Sequence, residues 1–181
     1  MFNLKFQNNS RGFTLIELLI VLGIVLLLSS SILIDFNSGG DSLSLERSAE
    51  TLAQNIRKAS IMTMSGQKFE NEIPKGGYGI YLETAEPYQY ILYANKNSNK
   101  IYDVEDEDVN IIDLEKGVKI KDIKIDGSAE SDTSINFKAP DPVVSIFKNK
   151  NLATITLCLE QECDTKIRII TFYKTGAIEV E

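Results

Sequence analysis

The feature that most constrains this chain is a nearly unbroken apolar run from Phe13 to Ile34, interrupted only by Thr14, Glu17 and Ser29 to Ser31. As a helix its 22 residues extend roughly 33 Å, a membrane-spanning length. Lys5 and Arg11 precede the run, and no acidic residue lies between Met1 and Gly12. The positive-inside bias therefore leaves the N-terminus in the cytoplasm and places the rest of the chain on the far side. A secretory signal, a simple anchor and a buried core helix are the competing readings. A secretory signal has an apolar core of about 7–15 residues followed by a small-residue site. Ser29 to Ser31 could supply that site, but this run is longer and contains an acid.

Glu17 is the residue a simple anchor does not explain. A carboxylate costs about 2.5–3.5 kcal/mol near the centre of a membrane helix, and somewhat less towards its end. The surrounding Arg11-Gly12-Phe13-Thr14-Leu15-Ile16-Glu17-Leu18 resembles the type III leader and processing site of type IV prepilins and pseudopilins. That resemblance covers mainly residues 7 to about 35. It implies a leader at 1–12, cleavage by a prepilin peptidase after Gly12, and N-methylation of the new first residue, Phe13. It also gives Glu17 an assembly role, because a carboxylate in lipid seeks a cation, and the exposed amine of a neighbouring Phe13 is one. Ile34 stands where many major pilins carry a helix-kinking Pro. The segment Asp35 to Asp41, with Gly39 and Gly40, is rich in helix breakers, so either a hinge in the stem or an ordinary loop is expected there.

Four regions follow: the leader at 1–12, a transmembrane assembly helix at 13–35, a hinge and amphipathic helix at 36–66, and a head at 67–181. Asp41 or Ser42 can cap the second helix, and Glu46 suits an early turn. Leu45, Ala49, Leu52, Ile56 and Ala59 recur at helical spacing, which predicts one face packed on a sheet, with Gly66 as the stop. Strands are expected at Gly77–Leu82, Tyr88–Tyr93, Val118–Ile125, Ser134–Phe137, Ala153–Leu159, Lys166–Tyr173 and Ala177–Val180, with a turn at Thr84 to Pro87. The fold class is α+β: a long N-terminal helix on an antiparallel sheet or sandwich. A helix ending near Ala59, the Gly77-Tyr78-Gly79-Ile80 strand and a terminal hairpin closing on Thr175-Gly176-Ala177-Ile178 are similar to H-type minor pseudopilins and related minor pilins.

The formal charge is −7, and removing Lys5 and Arg11 with a leader takes it to −9. Such a surface repels phosphates, so no direct nucleic acid binding is expected. With no His, the commonest general base and metal ligand is missing; no nucleophilic triad can be assembled, and no catalytic residue is assigned. Without Trp, one kind of carbohydrate-stacking platform is absent. Cys158 and Cys163 flank a short loop between strand-like runs: a disulfide in an oxidising compartment, or two free thiols in a reducing one. Two thiols without His or further Cys make a poor zinc site, and no cofactor is expected apart from calcium. Asn95, Asn97, Asn99, Asp103 and Asp106 fall at places one, three, five, nine and twelve of a calcium loop. Lys100 replaces its glycine, however, and Asp106 its bidentate Glu. The plainer reading is a polar surface loop, with Asp103 to Asp108 as a solvated acidic run.

Together these point to a minor pilin or pseudopilin at the inner membrane, single-pass with its head outside the cytoplasm, assembled into a type IV pilus or a type II secretion pseudopilus. The resemblance implies as partners other pilin subunits, the prepilin peptidase, membrane lipid, an assembly ATPase and an inner-membrane assembly platform. A membrane-tethered binding module that never assembles is the alternative, and a secreted enzyme released by ordinary signal cleavage is a third reading.

Overall fold

The computed structural model describes residues 14–103, 107–139 and 143–181, without the side chains of 30–39, 107 and 143. The chain divides between Gly39 and Gly40 into two compact units. One helix, α1 (Leu15–Met64), accounts for all the helical residues up to that boundary and the first turns beyond it. The break expected over 35–41 is not there: these residues are helical. No proline interrupts the segment, and two glycines cost about 1 kcal/mol each relative to alanine. Ending a helix leaves four carbonyls unsatisfied, and restarting one requires a new nucleus, so propagation through the glycines costs less. The Ser44 hydroxyl also donates to the carbonyls of Gly40 and Asp41 at 2.9 and 3.1 Å, inside the helix rather than at a cap.

Within the unit from Gly40 onwards, α1 buries Leu45, Ala49, Leu52, Ala53, Ile56, Ala59 and Met62, the face its periodicity predicts. It ends as Gly66 does, at φ +61°. The N–H of Gly66 donates to Thr63 and that of Gln67 to Met62, at 3.1 and 3.0 Å, which is a Schellman motif.

Among the described residues ten antiparallel strands follow: β1 (Gly77–Glu83), β2 (Gln89–Asn95), β3 (Glu107–Asp113), β4 (Val118–Ile125), β5 (Ser128–Glu130), β6 (Asp132–Lys138), β7 (Val143–Ile146), β8 (Leu152–Leu159), β9 (Ile167–Tyr173) and β10 (Ile178–Val180). They form two sheets, ordered β3-β2-β1-β6-β7 and β10-β9-β8-β4-β5. Their inward residues and the buried face of α1 make one hydrophobic cluster. Phe137 of the first sheet meets Phe172 of the second edge to face, with ring centroids 5.9 Å apart. The fold is thus α+β, a helix with two antiparallel sheets, as expected.

Three polar side chains on the core side of α1 join it to the strand region. Ser48 Oγ accepts the N–H of Glu115 at 3.0 Å. Asn55 donates to the Tyr90 hydroxyl at 2.8 Å. Thr63 Oγ1 accepts the N–H of Tyr78 at 2.9 Å. Spaced seven and eight residues apart, they lie along one face.

The opposite face of the first sheet is also filled. Tyr93 is fully buried, and its hydroxyl donates to Asn136 Oδ1 at 3.3 Å. Asn136 donates in turn to the Gly76 carbonyl at 2.9 Å. The Tyr93 ring occupies the space a side chain at position 79 would need, since a Cβ on Gly79 would lie 2.5 Å from it. Gly79→Ala should therefore destabilise the protein by about 1–3 kcal/mol through overpacking. Gly127→Ala, at φ +83° with open space around it, should cost about 1 kcal/mol from backbone strain alone. Urea unfolding of the two variants measures the difference.

Candidate functional site

The apolar run begins its helix on a built cap. Thr14 precedes α1, and its hydroxyl oxygen accepts the N–H of Glu17 at 3.3 Å, while its carbonyl accepts the N–H of Leu18 at 3.2 Å. Thr-x-x-Glu is the spacing of a capping box. The position of Glu17 in the first turn also sets its charge against the positive end of the helix dipole. Sequence reasoning gave Thr14 no role, although this spacing was there to be read.

Beyond the cap, every described large apolar side chain from Leu15 to Leu28 is exposed in the isolated chain, from 51% at Val25 to 83% at Leu15. A helix apolar on all sides is at home in lipid or among other helices, not against water. Among the described residues, no helix is long and apolar enough to cross a membrane; the described side chains of the run end at Ser29. Gly12 and Phe13, the expected cleavage and methylation positions, lie outside the described residues, whereas Glu17 is described and exposed.

The cysteines are joined. Cys158, buried near the end of β8, forms a disulfide with Cys163 in the loop before β9, their Cα atoms 4.8 Å apart. Lys121 reaches over the same loop, donating to the Cys163 carbonyl at 2.8 Å and to Asp164 at 3.2 Å.

The residues of the expected calcium loop do come together, as far as they are described. Asn95 is buried at the end of β2, and its Oδ1 accepts the Ser98 N–H at 2.7 Å. Asn97 donates to both Asp103 oxygens, at 3.3 and 3.0 Å, and Asn99 also donates to that carboxylate. The Oδ1 atoms of Asn97 and Asn99 accept the N–H groups of Asn99 and Ile101 at 3.0 and 3.1 Å. In this arrangement three side-chain oxygens face backbone donors, and the carboxylate is held by two amides. Asp106 lies outside the described residues. Among the described residues, no group of three or more Cys, Asp or Glu side chains is placed to hold a metal ion.

Next to this loop, Tyr102 stacks on Tyr81 with ring centroids 4.5 Å apart and meets Tyr93 edge-on at 5.1 Å. Burial, with Glu83 and Asp132 beside it, pushes the Tyr81 hydroxyl well above the usual phenol range. It therefore stays protonated and donates to Glu83 at 3.2 Å.

Residues 7–33 match the family model of the prokaryotic N-terminal methylation motif. This supports a type IV pilin-like prepilin segment there and is consistent with anchoring through the N-terminal segment. Neither the curated proteins nor the solved structures include a match to the chain.

Closing the short Cys158–Cys163 loop restricts the unfolded chain by about 2 kcal/mol in the loop-entropy account. Reducing the disulfide should lower unfolding stability by about that amount, measured by urea titration of the full chain in detergent with and without reductant.

Proposed function

We propose that this chain is a minor, H-type pilin or pseudopilin, a structural subunit that is cleaved after Gly12, methylated at Phe13 and assembled through its N-terminal helix. The observation that carries the reading is the coincidence of the methylation motif at 7–33 with an apolar helical surface that the chain itself leaves uncovered. Membrane lipid would receive that surface before assembly, and the helices of other pilin subunits after it. The expected partners are therefore pilin-like subunits, a prepilin peptidase and an inner-membrane assembly platform, with the head outside the cytoplasm. The strand and turn that carry the H-type resemblance support the narrower assignment: Gly77-Tyr78-Gly79-Ile80 opens β1, and Thr175 to Ile178 turn β9 into β10.

In this role Glu17 aligns subunits. Placed in an apolar surrounding, its carboxylate is stabilised by a cation and penalised without one, so a neighbour whose freed amine lies opposite is selected over one out of register. No catalytic step is required of the subunit.

Mass spectrometry of the mature protein from membranes should show a first residue of N-methylated Phe13. A start after the serines at 29–31, or an intact Met1, would sink the proposal. Glu17→Ala should insert into the membrane as well as the natural chain and lower co-purification with partner subunits by at least about tenfold, because the neighbour's amine is left in the apolar layer without its counter-charge. Equal co-purification would remove Glu17 from assembly.

A further inference from the structure

Four strands form sheet edges among the described residues: β3 and β7 in the first sheet, β5 and β10 in the second. Proteins blunt such edges against unwanted pairing with charge, bulges or abrupt turns, and three of these edges are treated in that way. β3 presents Asp108 and Asp113 and pairs across a bulge opposite Leu92 and Tyr93. β5 is three residues long and ends at Glu130, which pairs with Lys148 at 2.9 Å. β7 runs straight into Lys148 and Asn149, both at positive φ.

β10 is also short and carries one charge, Glu179, which accepts from the Tyr173 hydroxyl at 2.9 Å on the face away from Ile178; on the Ile178 face it borders an apolar cleft. In its ladder with β9, Ile169 and Glu181 exchange both backbone hydrogen bonds at 2.9 Å, and Tyr173 N–H donates to Ala177 at 2.9 Å. Antiparallel pairing alternates, so the N–H and C=O groups of Ile178 and Val180 point away from β9. Ile178, facing inward opposite Phe172, lines a cleft of about 410 Å³ with Phe137, Val144, Phe172, Ile61 and Met64. Ile61 and Met64 are 63% and 56% exposed, large apolar side chains on the outer face of the amphipathic helix near its C-terminal end. Arg57 stands at the same cleft, exposed, with no ion pair among the described residues.

We propose that β10 is a strand-addition site. Its occupant is an extended segment of another protein, apolar at alternate positions and carrying a carboxylate, that pairs with the outward backbone of Ile178 and Val180. Successive side chains of a strand alternate between faces, so every second residue of the added strand would cover the cleft beside Ile178, Ile61 and Met64. The free backbone groups call for an extended chain and give affinity, the cleft selects the apolar positions, and Arg57 selects the acid by charge complementarity. This surface lies in the unit from Gly40 onwards and does not depend on how the N-terminus is processed.

The test is selection of a displayed library of linear heptapeptides on the full chain held in detergent micelles. Two variants serve as counter-targets. Val180→Pro removes an outward N–H that β9 does not use, a position where edge strands tolerate proline, and Arg57→Glu reverses an exposed charge on the helix. The expected result is enrichment of alternately apolar peptides containing Asp or Glu. Val180→Pro should weaken their binding at least tenfold, and Arg57→Glu should abolish the preference for the acid. Hydrogen exchange on the natural chain should show new protection at the amides of Ile178 and Val180. No enrichment, binding indifferent to both variants, or capture of helical peptides without protection at 178 and 180 would each overturn the proposal. Because Arg57→Glu leaves the strand untouched, a misfolded Val180→Pro chain would still leave the acid preference to decide.

Discussion

The unit from Gly40 onwards depends on one face of α1, the stripe from Leu45 through Ile56 to Met62. Two five-stranded sheets share a single core with it, and each sheet needs an apolar surface opposite its own inward residues. The helix supplies that surface with small residues, Ala49, Ala53 and Ala59, set among large ones, so strands approach closely at some levels and are filled by Leu or Ile at others. Ser48, Asn55 and Thr63 place polar groups on the same side, each bonded to a different point of the strand region. An apolar stripe alone would allow the helix to slide by a turn; three fixed hydrogen bonds define its register.

Much of this architecture was legible because two periodicities are strong. The spacing of 45, 49, 52, 56 and 59 named the buried face, and alternation located β1, β4, β8 and β9 to within a residue or two. What escaped notice is physically weaker in sequence. β3 (EDVNIID) reads as acidic and solvated because only Val109 and Ile112 turn partly inward, while Asp108, Asn110, Ile111 and Asp113 stay exposed on an edge. β5 and β7 have three and four residues, too short to show alternation. The expected break at 35–41 rested on local propensity, which cooperative helix on either side outweighs.

The candidate site was legible in a different way. Gly12, Phe13 and Glu17 were singled out by their order in the chain, and all three fall within the stretch 7–33 that matches the methylation motif. The cysteine pair was read as one of two chemical states, and the fold brings the two Cα atoms within bonding range. The asparagine loop shows the limit of spacing arguments. The same oxygens that would ligate a cation also accept backbone N–H groups in tight turns, and here they do so. Spacing carries no information about which donor an oxygen faces.

The cap at Thr14 sharpens what Glu17 is available to do. Its N–H is satisfied by the Thr14 hydroxyl, and its carboxylate has no cationic partner among the described residues. Between Gly12 and Glu46 the sequence contains no Lys or Arg, and a helical side chain meets only neighbours three or four positions away. No cation within the run can therefore reach Glu17. In an apolar surrounding the charge must be neutralised by protonation or by an amine from outside the run. Under the proposed function, an N-terminus newly opened at Phe13 would be such an amine, present only after cleavage. Processing and pairing would then be coupled by charge: an uncut chain would place Arg11 and a polar leader where the amine should be, and only a cut one would offer a compact cation at the level of a neighbour's Glu17.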